Sequence, residues 1–227
     1  MKKYHSEDEL NKAKKQWRKK YYDQHKDLCL ARSRAVKKRK KALYDAIKAE
    51  RGCLICGESN WKCLDFHHKN RTDKKAAVSE LVRDDASHDV ILVEIEKCVV
   101  MCANCHRKIH QTPYEKVVYK GWGYEIWLVN KAAYCGKLLG VKPGKKCSFH
   151  YHKIKDETFY VQKGKLYLRY GWGDTLEDCE EVIIVAGQVF YVPTGLRHQF
   201  EAIEDSLIVE FSTEHKDEDS IRIIKGD

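Results

Sequence analysis

The sequence predicts an α+β protein of two domains, in which a basic helical arm runs into a small metal-stapled core and an all-β barrel follows. Three observations carry this. Residues 6–51 contain neither proline nor glycine and are dominated by Lys, Ala, Arg, Leu and Glu, the composition of one long helix or two. Two C-x-x-C pairs, Cys53/Cys56 and Cys102/Cys105, then bracket 45 residues. From residue 117 onward short runs of Val, Ile, Tyr and Phe alternate with Gly, Asn, Asp or Pro, the rhythm of an antiparallel sandwich or barrel. The boundaries are an arm at 1–51, a core at 52–112 and a barrel at 117–227.

In the arm, Trp17, Tyr21 and Leu28 fall near one helical face, and Val36, Leu43 and Ile47 near another further on. The rest is mostly cationic. Residues 1–51 hold 18 Lys and Arg against 7 Asp and Glu, a net of +11, whereas 52–115 and 116–227 each net −1. The whole excess charge of +9 therefore sits in the arm, where it is a local footprint for a polyanion. The run Lys37, Lys38, Arg39, Lys40 and Lys41 is the expected set of phosphate contacts.

In the core, Gly52 ends the helical stretch and Cys53-Leu54-Ile55-Cys56-Gly57 forms a knuckle. A short strand is expected around Leu64–Phe66, acidic helix-compatible sequence over Ala76–Lys97, and a last helix from near Cys102 until Thr112-Pro113 breaks it. Ten cysteines in a chain expected to be cytosolic call for a use other than disulfides, and the two pairs supply the four thiolates of a closed structural zinc site. Within the bracketed stretch stand His67 and His68, with His106 and His110 just beyond. The latter two are spaced i, i+4 and share a helix face on which they can grip one ion. Strand alternation turns His67 and His68 to opposite sides.

The barrel carries a second constellation. Residues 144–164 read GKKCSFHYHKIKDETFYVQKG and residues 187–198 read GQVFYVPTGLRH. His150 and His152, two apart on a strand, point the same way, and Glu157 and His198 complete three histidines and a carboxylate lining the interior.

The stretches LDFHHKNRTDKK and EIEKCVVMCANCHRKIH resemble the HNH endonucleases common in phages, over roughly residues 30–110. That resemblance implies a zinc-stabilised ββα-metal core that hydrolyses DNA phosphodiesters. It makes His68 the general base, and His67, His106 and His110 the ligands of the working ion. Two departures stand out: many relatives carry Asp where this chain has His67, and Lys97 falls near the place of the family's orienting Asn. An all-imidazole set favours zinc, nickel or manganese over magnesium.

The second constellation resembles the cupin superfamily, a jelly-roll barrel, with Ala202 where an Asn is usual. It implies manganese, iron, nickel or zinc on His150, His152, Glu157 and His198. The segments Tyr119–Glu125 and Asp217–Arg222 look like the opening and closing motifs of mannose-6-phosphate isomerase-like cupins, with Gly121 in place of proline. They make Arg222 the residue that grips a phosphate.

The function expected is thus a metal-dependent DNA endonuclease fused to a metal-binding cupin with isomerase-like features. Its partners are DNA and a sugar phosphate or nucleotide sugar, and cupins often pair as homodimers. Two other readings stay open: a non-catalytic DNA-binding regulator whose cupin senses a sugar, and a cupin isomerase localised by its front half. No run approaches the roughly 18 apolar residues of a membrane span, so a cytoplasmic protein without a membrane partner is expected.

Overall fold

The computed structural model describes residues 6–227, and its chain groups into two compact units. One holds the residues up to Gly52 together with Glu58–Val100, and the other holds Cys53–Gly57 with Met101–Asp227.

The first unit opens with helix α1 (Glu7–Gln24), whose N-cap Ser6 accepts the Glu9 N–H at 3.2 Å. Glu7, Asp8 and Glu9 place negative charge on its first turn, where the helix dipole favours it. His25 interrupts the helical run, and α2 (Lys26–Arg51) resumes it until Gly52 turns to a φ of 60°, a conformation that suits glycine. α1 buries nothing, while α2 contributes Tyr44 to a small core with Val78, Ile91, Ile95 and Cys98. A 3-10 turn (Trp61–Cys63) leads into β1 (Leu64–His68), which pairs with β2 (Cys98–Cys102).

The helix-compatible stretch Ala76–Lys97 forms two helices, α3 (Val78–Arg83) and α4 (His88–Glu96). Between them Asp85 sits at φ 58°, held by Lys40 Nζ, which lies 2.6 Å from its carboxylate and 3.2 Å from the Ala86 carbonyl. Ser87 then caps α4 by accepting the Val90 N–H.

In the second unit α5 (Ala103–Gln111) follows its N-cap Cys102. The strands come next: β3 (Lys116–Lys120), β4 (Gly123–Lys131), β5 (Tyr134–Val141), β6 (Phe149–His152), β7 (Glu157–Lys163), β8 (Lys165–Gly171), β9 (Glu180–Val185), β10 (Val189–Val192), β11 (Arg197–Ala202), β12 (Ser206–Ser212) and β13 (Ser220–Ile224). They make a six-stranded sheet ordered β10-β7-β12-β5-β4-β3 and a five-stranded sheet ordered β13-β6-β11-β8-β9, antiparallel throughout. Inward side chains of both sheets meet in one core, where Phe159 of β7 packs edge-on against Phe200 of β11 at 6.0 Å. Among the described residues no helix is long and apolar enough to cross a membrane.

Candidate metal centres

The knuckle brings the sulfurs of Cys53, Cys56, Cys102 and Cys105 within 4.8 Å of one another, and no disulfide joins them. Cys56 and Cys102 sulfurs lie 3.7 Å apart, and the Cys105 N–H points at the Cys102 sulfur at 3.4 Å. Gly57, at φ 79°, turns the chain so that its N–H closes on the Cys53 carbonyl at 2.9 Å. Burial raises the Cys53 thiol, but backbone N–H groups of Cys56, Cys102 and Ile55 outweigh it and bring it to about 7. Cys105 moves the other way, raised by burial and by the neighbouring sulfurs. Four thiols crowded this closely cannot all ionise alone, and a soft divalent cation such as zinc is what lets them.

The barrel site lies between the two sheets. His150 and His152 come from β6 and His198 from β11 of one sheet, while Glu157 opens β7 of the other. Their ligand atoms all lie within 4.8 Å of one another. Each ring is turned by the same device: Nδ1–H donates to a backbone carbonyl, His150 to Ser148 at 2.8 Å, His152 to Asp219 at 3.2 Å and His198 to Leu196 at 3.1 Å. In a neutral ring so turned, Nε2 is the lone-pair nitrogen. Burial also pushes His150 well below the usual histidine range and His152 down to about 4, so both are neutral at pH 7.

Glu157 is held from behind. Burial alone would raise it, but Lys155, bonded to Oε1, keeps it well below the usual carboxylate range. Oε2 is left facing His198 Nε2 at 3.1 Å and His152 Nε2 at 3.5 Å. Oε2 and His198 Nε2 are both buried without a hydrogen-bond partner. Lone pairs aimed at one another in a buried space are costly unless a cation sits among them, so this donor set fits a divalent metal ion.

Around it opens a cavity of about 650 Å³ whose wall includes Arg222, Lys116, Trp127, Lys137 and His215. The register puts Arg222 of β13 directly opposite His150, and His150 opposite His198, so these three stand in one row on one face. Behind the ligands, buried Lys155 reaches Glu210 at 2.6 Å, and Lys137 lies 3.3 Å from Glu210 and 3.0 Å from His215 Nδ1. Asp219, which the sequence marks only as part of a motif, has a structural task in the fold. Its buried carboxylate accepts the N–H groups of Lys153, Ile154 and Lys155, which shapes the loop between His152 and Glu157.

The remaining histidines are placed as follows. His106 and His110 share a face of α5 with ring centroids 5.0 Å apart. His67 and His68 close β1 in the other unit, and His67 is 9% exposed. His68 Nε2 lies 2.9 Å from the carboxylate of Glu94, a residue that carries no mark in the sequence. Lys97 stands 2.7 Å from the same carboxylate. Lys40, counted among the phosphate contacts, is paired with Asp85.

Residues 137–213 match the cupin domain family. No curated protein matches the chain. Among solved structures, KdgF from Halomonas sp. is 18% identical, covering 48% of this chain and 92% of that one at a TM-score of 0.40. The capsular polysaccharide assembling protein CapF of Staphylococcus aureus is 20% identical, covering 50% of this chain and 32% of that one, at 0.42. Cellulomonas parahominis L-ribose isomerase is 16% identical, covering 44% and 69%, at 0.39. Residues 137–213 thus carry a cupin domain, and His150, His152, Glu157 and His198 all fall within it.

Proposed function

We propose that the cupin is a metal-dependent, isomerase-like domain that takes a small phosphorylated sugar or nucleotide sugar into its cavity. The observation that carries this is the convergence of tautomer-fixed imidazoles on an unpaired buried Glu157 oxygen, with Arg222 in the same cross-strand row. When bound, the ion supplies Lewis-acid polarisation of a ligand oxygen. Arg222 offers a planar pair of donors to phosphate oxygens. Manganese, iron, nickel or zinc suits the ligand set. Proton exchange at C2 of hexose phosphates, followed in deuterated water with each metal, tests the reading. Exchange that is lost in His150→Ala/His152→Ala supports it, and no exchange across a broad set of sugar phosphates removes the isomerase activity.

A second reading concerns the front half, and the His68–Glu94 pair favours it. In this reading the segment from β1 to α5 is an HNH-type DNA endonuclease, the four cysteines hold structural zinc, and the basic face of α2 contacts phosphates. His67, His106 and His110 hold a zinc, nickel, manganese or magnesium ion. His68 takes the proton of the attacking water. Plasmid nicking by wild type and His68→Ala, in each of the four metals, is the test. Equal rates in the two proteins dispose of this mechanism, and retention of DNA without cleavage in every metal favours a DNA-binding regulator.

A further inference from the structure

The nuclease reading leaves open what orients His68, since Lys97 occupies the neighbourhood where related proteins are expected to carry an asparagine. We propose that Glu94 is the positioning residue of that site: it fixes His68 as the Nε2–H tautomer and so makes Nδ1 the nitrogen that receives a proton. The purpose of this arrangement rests on the nuclease reading, whereas its geometry does not.

Glu94 is 1% exposed on α4. Its Oε1 lies 2.9 Å from His68 Nε2 and also accepts the Lys75 N–H at 2.8 Å. Its Oε2 accepts from Lys97 Nζ at 2.7 Å, and that ammonium donates again to the Asp73 carbonyl at 3.0 Å. An ammonium and a backbone N–H keep a buried carboxylate ionised. An ionised carboxylate can only accept, so the hydrogen shared with His68 belongs to Nε2. In a neutral imidazole the other nitrogen then carries the lone pair. Lys97 therefore does not orient the ring itself; it anchors the anion that does. The ring is consequently held at one end by the β1 backbone and at the other by a carboxylate pinned on α4. A carboxylate needed only to pair Lys97 would already be served by Lys97 and the Lys75 N–H, and would have no use for the imidazole.

The test is the ring's tautomer, read by long-range proton–nitrogen correlation on the zinc-loaded, nitrogen-15-labelled full chain, with His68 assigned by its loss in His68→Gln. Wild type at mildly alkaline pH should show protonated Nε2 and lone-pair Nδ1. Glu94→Gln, whose amide oxygen still accepts, should keep that pattern, and Glu94→Ala should lose it. If the protein nicks plasmid, Glu94→Ala should slow nicking roughly 10–100-fold at saturating DNA, with Glu94→Gln closer to wild type. A wild-type spectrum with hydrogen on Nδ1 overturns the proposal without any variant, and so does an unchanged tautomer in a folded Glu94→Ala protein. The expected tautomer in a chain that cleaves no DNA in any metal retires the nuclease reading and leaves the hold of Glu94 on His68 standing.

Discussion

Asp219 does two jobs with one residue. Its carboxylate takes three backbone N–H groups at 2.9–3.0 Å, and its carbonyl takes the Nδ1–H of His152 at 3.2 Å. Replacing it with alanine removes the acceptor of one buried N–H, that of Lys155, and of two part-buried ones, and a buried orphan costs about 1–3 kcal/mol. Asp219→Ala should therefore lower apo stability by about 1–3 kcal/mol and weaken manganese or zinc binding at the cupin site roughly 10–100-fold. Urea unfolding and calorimetric metal titration measure the two effects, and an unchanged midpoint would falsify the account of the loop. Glu94 gives a pH signature in the other unit. Burial pushes its carboxyl up, but Lys97, the Lys75 N–H and His68 together bring it from 4.5 to about 2. A depressed folded-state value means that its contribution is complete above about 4.5 and drains away as pH falls toward 2. Hydrogen-exchange protection of residues 64–68 and 88–96 should accordingly decline as pH drops from about 4.5 toward about 2, and decline much less in Glu94→Gln. His68 drew notice in the sequence as one of an adjacent histidine pair, and Lys97 as a departure from the pattern that the resemblance implies. Glu94 was not, because a lone Glu in an acidic helix has no local mark of being buried.

At the scale of elements, a run of five cations on a helix cannot face one way, since successive side chains turn by about 100°. On α2, Lys40 turns inward to Asp85 and the Ala86 carbonyl, and Lys41 leans toward the Trp61 ring at 6.0 Å. Their neighbours Lys37, Lys38 and Arg39 are exposed. If α2 binds duplex DNA, replacing these three with alanine should flatten the plot of log affinity against log salt by up to about 0.9 for each phosphate that is no longer neutralised. Lys40→Ala should leave that slope alone and instead loosen the α3–α4 turn. Fluorescence anisotropy over a salt series separates the two, and a slope change from Lys40→Ala as large as from the others would refute the division of labour. The same side chain shows why the turn was illegible: Asp85 is reversed by a lysine 45 positions earlier in the chain. Strands such as β7, β8 and β12 alternate buried and outward positions along much of their length, a period that the sequence shows. By contrast β2 is apolar at every position and has no period of two to read, while β13 presents an acidic lead-in that reads as a motif before it reads as a strand.

Over the whole molecule, the sequence marks an arm, a core and a barrel, whereas the folded chain groups Cys53–Gly57 with everything from Met101 onward. Closure of four sulfurs across 45 intervening residues produces that regrouping, and no local boundary signal reports it. One unit consequently holds two clusters of unlike chemistry, four cysteines on one hand and three histidines with a glutamate on the other. Their metals should respond independently. A thiolate site of this kind binds zinc with apparent free energies of about 10–16 kcal/mol, so it should survive a chelator wash that empties a mixed nitrogen and oxygen site. Returning manganese or nickel at about 100 times its dissociation constant should then raise the stability of wild type by about 2.7 kcal/mol, because only the folded cupin binds it. His150→Ala/His152→Ala should gain almost none of this while retaining its zinc. Cys102→Ser should lose the zinc, keep a side-chain oxygen that can cap α5, and still gain stability from manganese where the barrel remains folded. Elemental analysis beside thermal unfolding reads all four proteins, counting the washed wild type. Manganese stabilisation of the double histidine variant to the same extent as wild type would show that the ion binds elsewhere, and the orphaned Glu157 oxygen would then need another partner.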